Sequence, residues 1–170
     1  MGLINNNTTL STNPLIKQAM DRVQSTVKQP DEEAFLKILT AGLKFAFNKK
    51  AHGTIMEGLD KSQDPVHDIA VGTVGLLLVM NKGSHGTMPV PPMVPAGMML
   101  VLHGLDYIEH TQNIKIGAAE IDEATKIFIQ TIMPKIGITP EVFKQATDSA
   151  HKAMQDPALM AKFKQHHQGA

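Results

Sequence analysis

The stretch that decides the fold of this chain is DIAVGTVGLLLVMNKGSHGTMPVPPMVPAGMMLVLHGLDYIEH, which runs from Asp68 to His110. Between Asp68 and Asp106 the only formal charge is that of Lys82. Because exposed apolar surface is unfavourable in water, a stretch of this kind must be buried. It can be buried in the protein's own core, in a contact with partner subunits, or in a membrane.

Two helices are predicted within the stretch, one on each side of a proline-rich loop. The first runs from Pro65 to about Asn81 and is apolar nearly all round from 69 to 80, which is typical of a central helix. The second runs from about Pro95 to His110. Residues 82–95 between them are predicted to be a loop, because their prolines forbid a helix until the last of them.

Polar residues directly before proline predict further helix starts. Such a side chain caps the first turn, and proline lacks only a backbone N–H that would have no partner there. The pairs are Asn13-Pro14, Asp64-Pro65, Thr139-Pro140 and Asp156-Pro157, and a fifth start is Gln29-Pro30, which precedes three carboxylates. Apolar spacing predicts the remaining helices at 14–28, 31–48, 117–133 and 140–154, with a short last one from 157. Residues 51–64 are either a short helix or an irregular turn.

The sequence therefore predicts an all-α protein, a compact bundle of six or seven short to medium helices with one proline-rich loop at 82–95. Its regions are a polar N-terminal arm at 1–13, a helical domain at 14–155, and a short C-terminal helix with a polar tail at 156–170. The arm lacks the basic and apolar segments of a signal peptide. It is either a disordered tail or a segment that orders against a neighbouring subunit.

Composition excludes several classes of function. Lysine plus arginine and aspartate plus glutamate both number 16, so the chain lacks the positive field of a nucleic-acid binder, and no specific nucleic-acid binding is expected. The absence of cysteine excludes disulfides and thiol chemistry. With 11 methionines, no tryptophan and 4% aromatic residues, the core must consist of aliphatic and methionine side chains, which repack easily.

Candidate chemistry in the sequence is sparse. His103, Asp106 and His110 share one helix face and have a spacing that could bind a divalent metal, but no second ligand cluster accompanies them. The carboxylates of 31–33 are explained by the start of a helix. The sequence therefore predicts no catalytic residue, no metal ligand and no cofactor, and the protein is expected not to be an enzyme.

Two sets of residues are expected to make contacts. The stiff apolar loop is predicted to contact partner subunits, because proline lowers the entropy lost on ordering. Its contact residues are Met88, Val90, Pro91, Pro92, Met93 and Val94. Close helix packing is predicted at the small residues Gly72 and Gly75, together with Leu76, Met98 and Leu102.

The second helix is expected to bury a wide face that includes Phe35, Leu36 and Phe47.

A membrane location remains an alternative. A spanning helix needs about 20 apolar residues, whereas 69–80 is shorter and the segment 88–105 contains four prolines in its first half. Neither is a good span by itself, although the two could form a hairpin that enters a bilayer. In that case Gly72, Gly75, Gly97 and Leu102 would lie in the membrane.

The order of segments resembles that of small helical virion-associated proteins of tailed bacteriophages. The resemblance covers roughly 31–144 and rests on DEEAFLKILTAGLKFAF, VPAGMMLVLHGLDYIE and EIDEATKIFIQTIMPKIGITPE, with the apolar helix and proline-rich turn between the first two. It implies a non-enzymatic structural component, located in the virion and in the host cytoplasm during assembly. Such a protein oligomerises near the portal or serves as an internal ejection protein.

The expected partners are therefore further copies of the chain and other virion proteins, with transient membrane contact also possible. Two alternatives stay open. One is a membrane-active protein, either part of an ejection channel or a holin-like factor. The other is a small regulatory or scaffolding protein of the host cytoplasm.

Overall fold

The computed structural model describes residues 11–139 and residue 141, and within that part of the chain every regular element is helical. Its six α-helices are α1 (Pro14–Thr26), α2 (Glu32–Ala46), α3 (Lys49–Asp60), α4 (Pro65–Gly83), α5 (Val90–Gln112) and α6 (Ala118–Lys135). A single 3₁₀ turn, Gln29–Asp31, precedes α2. The all-α prediction is confirmed, and 51–64 is largely helix α3. The helices predicted at 140–154 and from 157 lie outside the described residues.

The chain divides into two compact units, Met1–Ile132 and Met133–Ala170. The first unit contains α1 to α5 and most of α6. Of the second unit the structure describes 133–139 and 141, where Gly137 has a φ of +81° and the Ile138 N–H donates to the Met133 carbonyl at 2.9 Å. This is a left-handed helix end, as the glycine predicts.

Local chemistry sets two of the helix starts. The Asn13 Oδ1 accepts hydrogen bonds from the backbone N–H groups of Leu15 at 2.9 Å and Ile16 at 3.4 Å, directly before Pro14. The Asp64 Oδ1 accepts from the His67 N–H at 3.0 Å, directly before Pro65. Both caps are those expected from the polar-residue-proline pairs.

The prediction of a loop across 82–95 is wrong over its second half. Helix α4 extends to Gly83, and α5 begins at Val90, so the connection covers only 84–89. The prolines at 91 and 92 occupy the first turn of α5, where backbone N–H groups have no intrahelical partner. Only Pro95 lies inside the helix, and it removes a single hydrogen bond to the carbonyl four residues earlier.

Helix α5 is the centre of the first unit. It packs against α1, α2 and α4 and buries a continuous series of apolar side chains. Leu102, Leu105 and Ile108 are each at most 2% exposed. The nearly uncharged stretch 68–110 is thus buried mainly within this unit, because α4 and α5 pack against each other and against the neighbouring helices.

Close helix approach occurs at different glycines from those predicted. A Cβ at Gly97 would lie 2.3 Å from Phe128 Cζ, and one at Gly42 or Gly104 would also lie within 3 Å of a neighbouring side chain. A Cβ at Gly72 or Gly75 would meet nothing within 4 Å. No helix of the described part therefore approaches these two glycines, and close packing against a helix from elsewhere stays a prediction. Both lie on the exposed side of α4.

The other residues predicted to pack between helices have mixed environments. Leu102 is in the core, at 2% exposure, whereas Leu76 and Met98 are half-buried. In α2, Phe35 is buried as expected. Leu36 is 37% and Phe47 52% exposed, so the predicted buried face of α2 is too wide.

Candidate functional site

A cavity of about 320 Å³ lies within the first unit, between the C-terminal half of α2 and helices α3, α4 and α5. Its walls are almost entirely apolar. The lining residues are Leu43, Phe45, Ala46, Phe47, His52, Ile55, Leu59, Asp68, Ile69, Gly72, Thr73, Leu76, Val79, Leu100, His103, Gly104 and Tyr107. A cavity of this size falls at the lower end of the range for small-molecule sites.

The cavity has a structural cause in the packing of its four helices. At Gly42 and Gly104, α5 is in close contact with α2 and α4, through Leu100 and Ile69 respectively. Further toward the end of α2 the chain turns into α3, which is short and largely polar and leaves Ile55 40% exposed. The glycine contacts hold the helices together on one side, and α3 covers the other side incompletely.

An aromatic cluster forms part of the cavity lining. The ring centroids of Phe47, His52 and Tyr107 lie 5.5 to 5.9 Å apart, with the Tyr107 ring edge-on to the other two. The Tyr107 hydroxyl and the His52 Nε2 are 3.2 Å apart and share a hydrogen bond. These side chains join the end of α2, the start of α3 and α5, so the cluster fixes the position of α3 relative to the core.

His103 is the unusual member of the lining. Its Nε2 is buried and has no hydrogen-bond partner, the only buried side-chain polar atom of this kind among the described residues. Burial lowers the pKa of the imidazole, an effect that the nearby Asp106 carboxylate partly opposes. The ring is therefore neutral near pH 7, and one nitrogen is available to donate or accept a hydrogen bond.

Large apolar side chains are exposed around the cavity. Phe45, Phe47 and Val79 are 47%, 52% and 60% exposed, and all three belong to the lining. Val71, on the neighbouring side of α4, is 38% exposed. Contiguous apolar surface of this kind is typical of interaction and ligand sites.

A polar cluster at the C-terminal end of α5 differs from the set His103, Asp106 and His110 that the helix spacing suggests. Asp106, Glu109 and His110 offer ligand atoms within 4.8 Å of one another, and His103 is not among them. The Asp106 backbone carbonyl accepts a hydrogen bond from His110 Nδ1 at 2.7 Å. That bond is the main cause of the raised pKa of His110.

The segment before α1 supplies partners for this cluster. Ser11 Oγ donates to Asp106 Oδ1 at 2.6 Å, and Thr12 Oγ1 lies 3.0 Å from His110 Nε2. The side-chain amide of Asn13 donates to both Glu109 oxygens, at 2.9 and 3.0 Å. These contacts explain the acidic groups as an anchor for the start of α1. Residues 11–13 contact the chain's own α5, and residues 1–10 of the predicted arm lie outside the described part.

The residues expected to contact partner subunits are separated by the structure. Pro92 and Met93 are buried in the protomer's own core, Met93 at 1% exposure, so they cannot contact a partner without unfolding α5. This part of the prediction is wrong, because the prolines begin a helix and turn these side chains inward. Pro91 is exposed, and Met88, Val90 and Val94 are half-buried.

The sequence analysis identifies only some of the cavity residues. It considers His103 as a possible metal ligand and predicts Gly72 and Leu76 as packing positions. It missed the contribution of Phe47, which it placed in the core, and of Tyr107. The available signal was the scarcity of aromatic residues, which make up only 4% of the chain.

Among the described residues, no helix has both the length and the apolar content needed to cross a membrane. Comparison with known proteins adds no family: no protein-family model, no curated protein and no solved structure matches the chain.

Proposed function

We propose that this protein is a non-enzymatic structural protein that associates with further copies of itself through the outer face of α4, as a component of a tailed-phage virion. The observation that carries the proposal is an apolar stripe on α4 that has no partner within the described part of the chain. The resemblance in segment order supports the virion assignment.

The α4 stripe consists of Val71, Gly75 and Val79, which are four residues apart and share one side of the helix. The two valines are 38% and 60% exposed, and a Cβ at Gly75 would meet nothing within 4 Å. On the opposite side of the helix, Val74 and Leu77 are at most 1% exposed. Helix α4 is thus apolar on both sides but is covered on only one.

A second copy of the chain is the occupant that fits this stripe. The chain has equal numbers of acidic and basic residues, so two copies do not repel each other at long range. Gly75 between the two valines lets a second helix approach closely. A twofold contact would place the same stripe on both sides of the interface.

The energy of such a contact is modest. Full burial of a valine contributes about 1.5–3 kcal/mol, and the stripe valines are already partly buried. Association itself costs about 4–15 kcal/mol. Two facing stripes therefore give weak, concentration-dependent association, which becomes strong only where many copies are held together, as in a particle.

The variant Val71→Lys/Gly75→Lys tests the assembly surface. It places two cations in the stripe without touching the core, and replacing an exposed helical glycine favours the helix. We expect wild-type protein to sediment as oligomers at high micromolar concentration and the variant to sediment as a monomer, with at least a tenfold weaker association. Circular dichroism should show the same helix content for both proteins.

The matched control is Lys17→Ala, an exposed change in α1, which should leave sedimentation unaltered. A wild-type protein that stays monomeric at every concentration, or a double-lysine variant that assembles normally, contradicts the proposal. The monomeric result would favour a regulatory protein of the cytoplasm instead.

The virion assignment has its own test. An antibody raised against the purified protein should label phage particles after density-gradient purification from the cells that produce the chain. Detection confined to the soluble fraction of the lysate would contradict the assignment while leaving self-association intact.

A further inference from the structure

The cavity beside α4 is partly open to solvent, since Phe45, Phe47 and Val79 of its lining are 47%, 52% and 60% exposed. Its walls are almost entirely apolar. The cavity measures about 320 Å³, roughly twice the 150 Å³ of an engineered apolar cavity known to bind benzene. Its apolar walls provide few of the two to four polar partners that an ordered water needs.

Its polar groups indicate the chemistry of a ligand. His52 and Tyr107 already pair with each other at 3.2 Å, and Thr73 Oγ1 donates to the Ile69 carbonyl at 2.8 Å. Asp68 accepts a hydrogen bond from Ser62 at 2.6 Å. His103 is different, because its buried Nε2 has no partner. His103 therefore brings to the lining an imidazole with one nitrogen that has no hydrogen-bond partner among the described residues.

We infer that this cavity binds a neutral, mainly aliphatic small molecule that carries a single hydroxyl or carbonyl group, and that this group pairs with His103. Cavity size sets the ligand at roughly thirteen non-hydrogen atoms at most, by scaling from benzene. Solvent does not reach Nε2, so pairing includes a turn of the imidazole about its last side-chain torsion. That torsion is broad and roughly twofold in histidine.

Charge is disfavoured in such a ligand. Among the residues whose side chains the structure describes, no lysine or arginine lines the cavity, so a carboxylate would lose its hydration without gaining a full counter-ion from them. A cation would meet only Asp68, which is exposed to solvent. An uncharged alcohol or ketone retains one hydrogen bond and buries the rest of its surface.

Gly72 offers a way to fill the cavity without disturbing the core. It belongs to the lining, and a Cβ there would meet nothing within 4 Å. Gly72→Leu should occupy cavity volume and favour the helix. Gly58→Leu is the matched control, because it places the same side chain on α3, where a Cβ would meet nothing within 4 Å, outside both the lining and the α4 stripe.

The experiment is a titration of the full-length protein with hexan-1-ol, heptan-1-ol and octan-1-ol, followed by two-dimensional NMR. Wild-type protein should bind all three, with affinity rising about fourfold per added methylene. Gly72→Leu should weaken octan-1-ol binding by at least tenfold, and Gly58→Leu by less than twofold. Absence of saturable binding to wild-type protein, or equal effects of both leucine variants, overturns the inference.

His103 has a separate readout. Octan-1-ol should shift the ¹⁵N resonance of His103 Nε2, whereas 1-chlorohexane, which lacks a good hydrogen-bonding group, should not. In His103→Phe, affinity for hexan-1-ol should fall at least fivefold while that for 1-chlorohexane changes less than twofold. An unshifted resonance with equal losses for both compounds would contradict the role of the imidazole.

This inference does not depend on self-association. Ligand binding in a protein that remains monomeric would remove the assembly proposal and retain the cavity as a binding site. Assembly without saturable alcohol binding would remove the cavity as a binding site and retain the assembly proposal.

Discussion

Met93→Asp is expected to unfold the first unit of this protein. Met93 is 1% exposed in the core beneath the first turns of α5. Removing most of a buried methionine costs about 2–5 kcal/mol, and a carboxylate without a partner adds several more. The total approaches the entire stability of a typical domain, about 5–15 kcal/mol.

Far-ultraviolet circular dichroism and urea unfolding at pH 7 measure this effect. Met93→Leu, which nearly conserves volume, should lose less than about 1.5 kcal/mol. Met88→Asp, the same change at a half-buried position of the preceding connection, should remain folded. A Met93→Asp protein that keeps its helix content and unfolding midpoint would show that α5 does not begin at Val90.

Gly97→Ala is expected to destabilise the protein although alanine is the better helix former. The added Cβ would lie 2.3 Å from Phe128 Cζ and 2.6 Å from Leu77 Cδ1. Overpacking of this kind costs about 1–3 kcal/mol, and helix propensity returns at most about 1 kcal/mol. We therefore expect a net loss of about 1–2 kcal/mol in the free energy of unfolding.

Gly75→Ala is the control, because the same methyl group on the same type of backbone meets nothing within 4 Å. It should raise stability by about 0.5–1 kcal/mol. Adding Phe128→Leu to Gly97→Ala should cost less than the sum of the two single changes, because it removes the atom nearest the new methyl group. Strict additivity, or equal effects at 97 and 75, would contradict the close approach of α5 to α6 and α4.

Patterns spanning a few residues predicted their structures well. Asn13 and Asp64 cap helices because a side-chain oxygen and a following proline act on the adjacent turn, within three residues. The helix end at Gly137 has the same local origin, a left-handed backbone that glycine adopts without strain.

The same kind of reasoning failed at α5. The sequence pattern predicts that four prolines exclude a helix, but the effect of a proline depends on which turn it occupies. Proline at 91 and 92 removes no intrahelical hydrogen bond, because backbone N–H groups in the first turn have no acceptor within the helix. Starting the helix at Val90 also buries Met93, and that burial is a property of the assembled core.

Composition and short-range chemistry in the sequence alone thus determined that the protein is helical and where two of its helices begin. Only the tertiary structure decided three other features. They are the glycines that are crowded, the phenylalanines that stay exposed, and the position of the cavity around His103. The reason is that a helix cap is a hydrogen bond between residues close in sequence. A contact or a cavity between helices depends instead on the distances between those helices, which are set only when the whole chain packs.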